Sequence, residues 1–291
     1  MIDATLYTDP GCPWAYSAGP DIAVMRWRFG DGLRWQIATI GLTETTERYL
    51  KAGYTPARQK SGQLMNFRPR FGMPFSVLPR ERVVSTGRAC RAIVATRLQQ
   101  PQLEWAALRA LQFGWFCTPL LLDEDEAIRT ALSPVPGLDA RAVVATLDDP
   151  AVEEAYESDR ADARTAAGTP TEAQGKTATT DGPVRYTAPS VVFETADGRI
   201  LEAGGFQSID AYDVCVANLD PSLPRRDPAA DPLDALAEFS HGLTTQEVAA
   251  VMAPALTDPD REAARLRLVE LAGEGKVAGT PLGDDALWRA A

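Results

Sequence analysis

The chain has 291 residues, 45% hydrophobic and 24% charged, with a formal net charge of −11. This is an ordinary globular composition with room for one large domain or two smaller ones, and its acidity excludes a broad electrostatic grip on nucleic acid or anionic lipid. A single histidine, His241, nearly excludes multi-histidine metal sites and His-based triads, and no apolar run approaches the roughly 20 residues of a membrane helix.

The N-terminus opens directly on a strand-like run at residues 4–7, without the basic and apolar leader of a secretory signal, so a cytoplasmic location is expected. The stretch Thr8-Asp9-Pro10-Gly11-Cys12-Pro13-Trp14-Ala15-Tyr16 follows. Pro13 suits the first position of a helix over 13–29, because its missing N–H has no partner there anyway. Cys12 therefore stands at a strand-to-helix junction, where unpaired N–H groups and the helix dipole favour a thiolate. Pro20 should kink this helix. Gly30-Asp31-Gly32 ends it, and residues 33–39 alternate like a strand with one buried face. A β-α-β opening of this kind implies two parallel strands.

From 42 to 165 the chain reads as helical, with helices expected at 81–98, 103–116, 123–132, 140–147 and 150–164, punctuated by Pro101, Pro119, Pro134 and Pro136. This looks like a helical domain inserted into an α/β frame. Residues 166–183 lie in a stretch with almost no apolar content and read as a flexible loop. Strands at 190–194 and 200–203 flank a turn at 196–199, and a helix over 208–219 closes the frame.

Residues 221–232, with four prolines and Arg225-Arg226, read as a stiff linker. Residues 233–291 read as a small separate unit. Thr244-Thr245-Gln246-Glu247 is a capping box, a longer amphipathic helix spans 258–272, and a hairpin of 273–279 with 285–288 follows. The order suggests a winged-helix-like module. With five Lys and Arg against ten Asp and Glu from residue 233 onward, a protein contact is expected there rather than DNA.

The four cysteines, Cys12, Cys90, Cys117 and Cys215, are widely spread and have no metal-ligand spacing. Cys90, Cys117 and Cys215 read as small buried apolar residues. Either Cys90 or Cys117 would resolve a mixed disulfide at Cys12 only if its Cα lay within about 7 Å.

The strand, Cys-Pro-Trp at a helix start, a proline eight residues after the cysteine, a second strand, and a distant hairpin with a closing helix resemble the thioredoxin fold. Asp9-Pro10-Gly11-Cys12-Pro13-Trp14 resembles the active site of the DsbA-like thiol-disulfide oxidoreductases, particularly the cytoplasmic FrnE-like members. Ala15 stands where that family carries its second cysteine. Gly72-Met73-Pro74-Phe75 and Arg88-Ala89-Cys90-Arg91-Ala92 resemble signatures of its inserted helical domain. The resemblance covers about residues 1 to 220. It implies a thioredoxin-like domain from 1–41 and 184–220, and a helical insertion at 42–165. It also implies a cis peptide between Ala188 and Pro189 facing Cys12, with the Ala188 backbone pairing an incoming peptide or thiol.

Without a sulfur at position 15, Cys12 cannot close a local disulfide, and exchange stops at or runs through a mixed disulfide with a small thiol. On this reading Cys12 is the nucleophile, Pro13, Trp14 and Ala15 shape its face, and Pro189 fixes the opposite wall. No tightly bound cofactor is implied. The partner is a protein thiol or a small thiol, with glutathione or mycothiol as co-substrate. Two alternatives stay open. A looser resemblance to kappa glutathione transferases and 2-hydroxychromene-2-carboxylate isomerases implies thiol binding without redox cycling, with Gln207 and Ser208 in the Gly205–Ser208 loop helping to hold the ligand; a helix cap at Ser208 explains the same residues. The other is a non-catalytic binding module on the same fold.

Overall fold

The computed structural model describes residues 1–180 and 182–291. Alternating apolar residues form β1 (Ile2–Thr8), and the chain turns through Asp9-Pro10-Gly11 into α1 (Pro13–Ser17) and α2 (Gly19–Phe29). The single kinked helix expected over 13–29 is thus two helices. The break falls at Ala18, and Pro20 sits in the first turn of α2, where a missing N–H costs no helical bond. A 3-10 turn at Gly30–Gly32 leads to β2 (Leu33–Thr39), parallel to β1 with Thr8 beside Thr39.

The insertion begins with short helices that the sequence analysis did not anticipate: α3 (Glu47–Lys51), α4 (Pro56–Gly62) and α5 (Arg68–Phe71), the last two joined by a π-helical turn at Gln63–Phe67. Each is too short to present a helical period, although Thr55, which caps α4 by accepting from Arg58 N, is a readable start signal. The longer helices are α6 (Gly87–Gln99), α7 (Glu104–Cys117), α8 (Asp125–Leu132), α9 (Ala140–Ala145) and α10 (Pro150–Ala163). The helix expected from 81 starts at Gly87. The residues before it are held out of helix because Thr86 N and Gly87 N both donate to Thr43 O.

The stretch 166–183, expected as one flexible loop, carries regular structure among its described residues; Asp181 lies outside them. The regular elements are α11 (Pro170–Ala173) and β3 (Thr177–Ala178), which pairs with β4 (Arg185–Tyr186). Buried Thr171 anchors the segment, giving its N–H and Oγ1 to Glu202 at 3.0 and 2.6 Å. The frame then closes with β5 (Ser190–Thr195), β6 (Ile200–Ala203) and α12 (Ile209–Leu219). The sheet order is β2-β1-β5-β6, with β5 antiparallel to both neighbours.

The C-terminal residues form α13 (Pro232–Glu238), β7 (Leu243–Thr244), α14 (Thr245–Met252), α15 (Arg261–Gly273) and the hairpin β8 (Val277–Leu282) with β9 (Asp285–Ala290), β7 pairing with β9. The expected capping box is formed, Thr244 and Glu247 bonding each other's backbone. The unit is not separate, however. Ala23, Val24 and Trp27 of α2 complete its core beside Leu236, Val248, Leu268 and Trp288. Nor is 221–232 a free spacer: Arg226 N donates to Arg28 O at 2.8 Å and Ala229 N to Val251 O at 3.0 Å. At the hairpin turn, a Cβ on Gly283 (φ +59°) would come within 2.8 Å of the Phe75 backbone, and Asp284 accepts from Phe75 N at 3.0 Å. Side chain and backbone together fasten the hairpin to the helical insertion.

One buried contact between the insertion and the C-terminal unit is ionic. Arg109 of α7 donates to Glu247 of α14 at 2.5 Å, with both side chains under a tenth exposed. Gln112 accepts from the same guanidinium at 2.6 Å, and Thr244 N and Oγ1 each donate to the other carboxylate oxygen at 2.9 Å. A buried pair gains little over an apolar one, but removing one partner strands a charge. Glu247→Ala should therefore lower the unfolding free energy by about 3–5 kcal/mol. Pairing Glu247→Leu with Arg109→Met should recover much of that loss. Urea unfolding of the full chain checks both; a Glu247→Ala midpoint equal to that of the unaltered chain contradicts the assignment.

Candidate active site

Cys12 is the N-cap of α1, in extended backbone, with Pro13 in the first helical turn. The turn before it is set by Asp9, which is fully buried. Its carboxylate accepts from Gly11 N and Leu42 N at 2.8 Å each, from Thr86 Oγ1 at 2.9 Å, and from Cys90 Sγ at 3.5 Å. Gly11 is required by space, since a Cβ there would lie 2.5 Å from Thr86 Cγ2 and 2.8 Å from the Trp115 ring.

The Cys12 thiol is 6% exposed and donates to Ala188 O at 3.1 Å, across from a cis Ala188–Pro189 peptide. Burial dominates its acidity and pushes the thiol up to about 12; the N–H groups of Ala15 and Trp14 pull it down, the charge of Asp9 pushes it further up, and Arg185 pulls it down. The thiolate expected from the helix terminus is corrected here. The backbone dipoles act in the anticipated direction, but loss of solvent outweighs them.

Cys12, Ala15 and Ala188 share one apolar cluster with Tyr7 and Tyr186, whose rings stack at 4.5 Å. Ala15 is 7% exposed and, with Pro189, borders a cavity of about 30 Å³ that reaches Arg109, His241 and Glu247. Trp14 is 41% exposed and meets Phe67, Phe71 and Phe206 edge-on, at 4.9, 5.8 and 5.7 Å. Gly11, Pro13 and Trp14 also open onto a groove of about 590 Å³ walled by Tyr49, Tyr54, Arg58, Phe67 and Trp115. Those walls come from α3, the loop after it, α4, the π-helical turn and α7, so no local motif announced them. The cluster of aromatic residues between positions 49 and 71 was the available signal.

Gln207 donates to Gly204 O at 2.7 Å, and Ser208 is the N-cap of α12 without a side-chain capping bond. Ser208 lines a different cleft, with Asp21 and Gln246. All four cysteines are free. Cys90 is engaged by Asp9, while Cys117 sits between Tyr16 Oη at 3.3 Å and Pro74 O at 3.2 Å in the main core. No helix among the described residues is long and apolar enough to cross a membrane.

Among solved structures, the chain is similar to a candidate protein disulfide isomerase from Nitrosomonas europaea, at 15% identity and a TM-score of 0.57 over 76% of this chain and 98% of that one. It is similar to the cytosolic disulfide reductase DsbM from Pseudomonas aeruginosa, at 18% identity and a TM-score of 0.51 over 76% of this chain and all of that one. A probable DsbA oxidoreductase from Streptomyces coelicolor matches at 17% identity and a TM-score of 0.54, over 79% and 93%. No family model matches the sequence, and no curated protein does. At these identities the likeness is one of fold: the chain has the DsbA-like thioredoxin fold.

In the free protein, Cys12 should react with iodoacetamide at pH 7.5 at least about a hundredfold more slowly than free cysteine, because so little is thiolate. The rate should climb about tenfold per pH unit between pH 8 and 10. Peptide mass spectrometry separates Cys12 from the other thiols. Alkylation at pH 7.5 as fast as free cysteine contradicts the burial argument.

Proposed function

We propose that the protein belongs to the DsbA-like thiol-disulfide oxidoreductases and works with a single cysteine, Cys12, exchanging disulfides with a low-molecular-weight thiol such as glutathione or mycothiol. The observation that carries this is the placement of Cys12 Sγ at the start of α1, 3.1 Å from Ala188 O, with its chain neighbours Gly11, Pro13 and Trp14 lining an aromatic groove. The cytoplasm, where such thiols abound, is its setting on this reading.

In the first step Cys12 Sγ attacks the small-thiol sulfur of a mixed disulfide between a substrate thiol and the small thiol. The Cys12–S bond to the small thiol forms, the substrate disulfide breaks, and the departing substrate thiolate takes up the Cys12 proton, so the substrate is reduced and the small thiol supplied in the next step is oxidised. A second small thiol then attacks the mixed disulfide, restoring Cys12 and closing a new small disulfide. The N–H groups of Trp14 and Ala15 stabilise the sulfur whenever it carries charge, and Pro13 and Trp14 present the substrate face. Burial keeps the resting group a thiol, so reaction waits on a substrate seated in the groove.

One observation favours a second reading. A thiol pushed up to about 12, with alanine at position 15, also suits a binding module that has left catalysis behind. The winged-helix-like order of the C-terminal unit would then serve protein contact.

Mass spectrometry after incubation with glutathione disulfide or mycothiol disulfide decides between the readings. A mixed disulfide at Cys12 that a second thiol removes, absent in Cys12→Ser, is expected; no adduct with either disulfide would sink the exchange reading and leave the binding module. Ala15→Cys adds a sulfur beside an existing cavity. It should form an internal Cys12 disulfide under oxidation, seen as loss of two free thiols in a thiol count, and should reduce insulin disulfides faster than the unaltered protein.

A further inference from the structure

Where the C-terminal hairpin faces the helical insertion, the chain encloses a cavity of about 240 Å³ whose walls include no residue of the Cys12 stretch. Its apolar lining comes from both units: Phe113, Leu120 and Val135 from one side, Leu282 and Leu287 from the other. Pro134, Pro136 and Pro281 at its edge are exposed, so it has a mouth to solvent. An apolar engineered cavity of about 150 Å³ accepts benzene, so this one admits a ligand of roughly ten non-hydrogen atoms.

The polar lining is lopsided. Arg109, His241 and Arg289 border the cavity, and no carboxylate does. Arg109 is already neutralised by Glu247 and lies over the Phe113 ring at 4.5 Å. Arg289 has no acidic partner among the described residues, and its Nε is buried without a hydrogen bond. Burial pulls its guanidinium below the usual range. Arg289 is half-buried, and its buried Nε–H is left without an acceptor unless a ligand supplies one, a costly arrangement for a polar group. His241 faces the same space. Burial and the nearby Arg26, Arg109 and Arg289 hold its imidazole well below the usual range, so it is neutral and adds no charge of its own. Its ring has no protein hydrogen bond among the described residues.

We propose that this cavity binds a small hydrophobic carboxylate, with the carboxylate on Arg289 and the aromatic or aliphatic body against Phe113, Leu120, Val135, Leu282 and Leu287. The planar fork of arginine matches the two oxygens of a carboxylate. A single such cation in an apolar cavity suits one negative charge better than the two of a phosphate monoester. The site is independent of Cys12 chemistry. It joins the helical insertion to the C-terminal unit, so an occupant binds only when the two are docked and stabilises that docked state.

The test titrates the full chain with phenylacetate and octanoate, and with the matching neutral amides, by calorimetry and thermal unfolding. Saturable binding of at least one carboxylate is expected, with its amide about tenfold weaker or more. Arg289→Met should weaken that carboxylate by about tenfold or more, and Ala110→Phe, which fills the cavity from α7, should abolish binding. Cys12→Ser should bind as the unaltered chain does, which separates this site from the thiol chemistry. Circular dichroism and the melting curve without ligand identify any variant that misfolds; if Arg289→Met does, Ala110→Phe and the acid-to-amide comparison still decide. No saturable binding by either carboxylate, equal affinity for acid and amide, or unchanged binding in folded Arg289→Met overturns the proposal.

Discussion

The Asp9 carboxylate is the constraint from which the site is built. It lies in the turn after β1, yet its acceptors are used by Gly11 two residues on, Leu42 after β2, and Thr86 and Cys90 at the start of α6. One buried group thus ties the active-site turn to both the exit of the parallel strand pair and the first long helix of the insertion. Burial pushes its carboxyl up while the N–H groups of Leu42 and Gly11, with Thr86 and Cys90, pull it down. A buried carboxylate without such donors would be untenable. The cost of placing it there is offset by fixing where Cys12 begins its helix and where α6 stands behind it.

Cys12 then inherits two opposed influences. The start of α1 offers it backbone N–H groups, and the same close packing removes the water that a thiolate needs. Packing wins because Cys12 is enclosed by Ala15, Tyr186 and Ala188, with Ala188 O as a ready acceptor for the thiol proton. Trp14 points the other way, half in solvent, and carries the exposed face of the motif into an aromatic groove supplied by the insertion. The division of labour between a hidden sulfur and a visible ring follows from their places on the first turn of one short helix.

The C-terminal unit is integral to this arrangement. α14 packs on α2, the second helix after the active-site turn, and Glu247 does three tasks at once: it caps α14, neutralises Arg109, and fills the space that Gly19 leaves open. A Cβ at Gly19 would lie 2.9 Å from the Glu247 carboxylate. The small cavity behind Ala15 and the larger one beside Arg289 are both bordered by Arg109 and His241.

Much of the fold was legible in the sequence because it rests on local rules. Strand alternation at 33–39, Pro13 after Cys12, the turn at 196–199 and the Thr244–Glu247 capping box each involve residues within a few positions of one another. Their chemistry is decided by the backbone's own hydrogen-bonding needs. Helical patterning over 42–165 pointed to an inserted helical domain, and resemblance supported it; resemblance alone pointed to Ala188–Pro189 opposite Cys12. What the sequence left undetermined depends on contacts across the chain. The short helices α3 to α5 have no period to read, yet their aromatic residues wall the groove. The division of α1 from α2, the anchored segment around Thr171, and the sharing of α2 with the C-terminal core were likewise invisible. The acidity of Cys12 is the clearest case: its sequence position fixes the helix terminus, which favours the anion, but only tertiary packing decides how much water remains, and that loss of solvation is the larger effect.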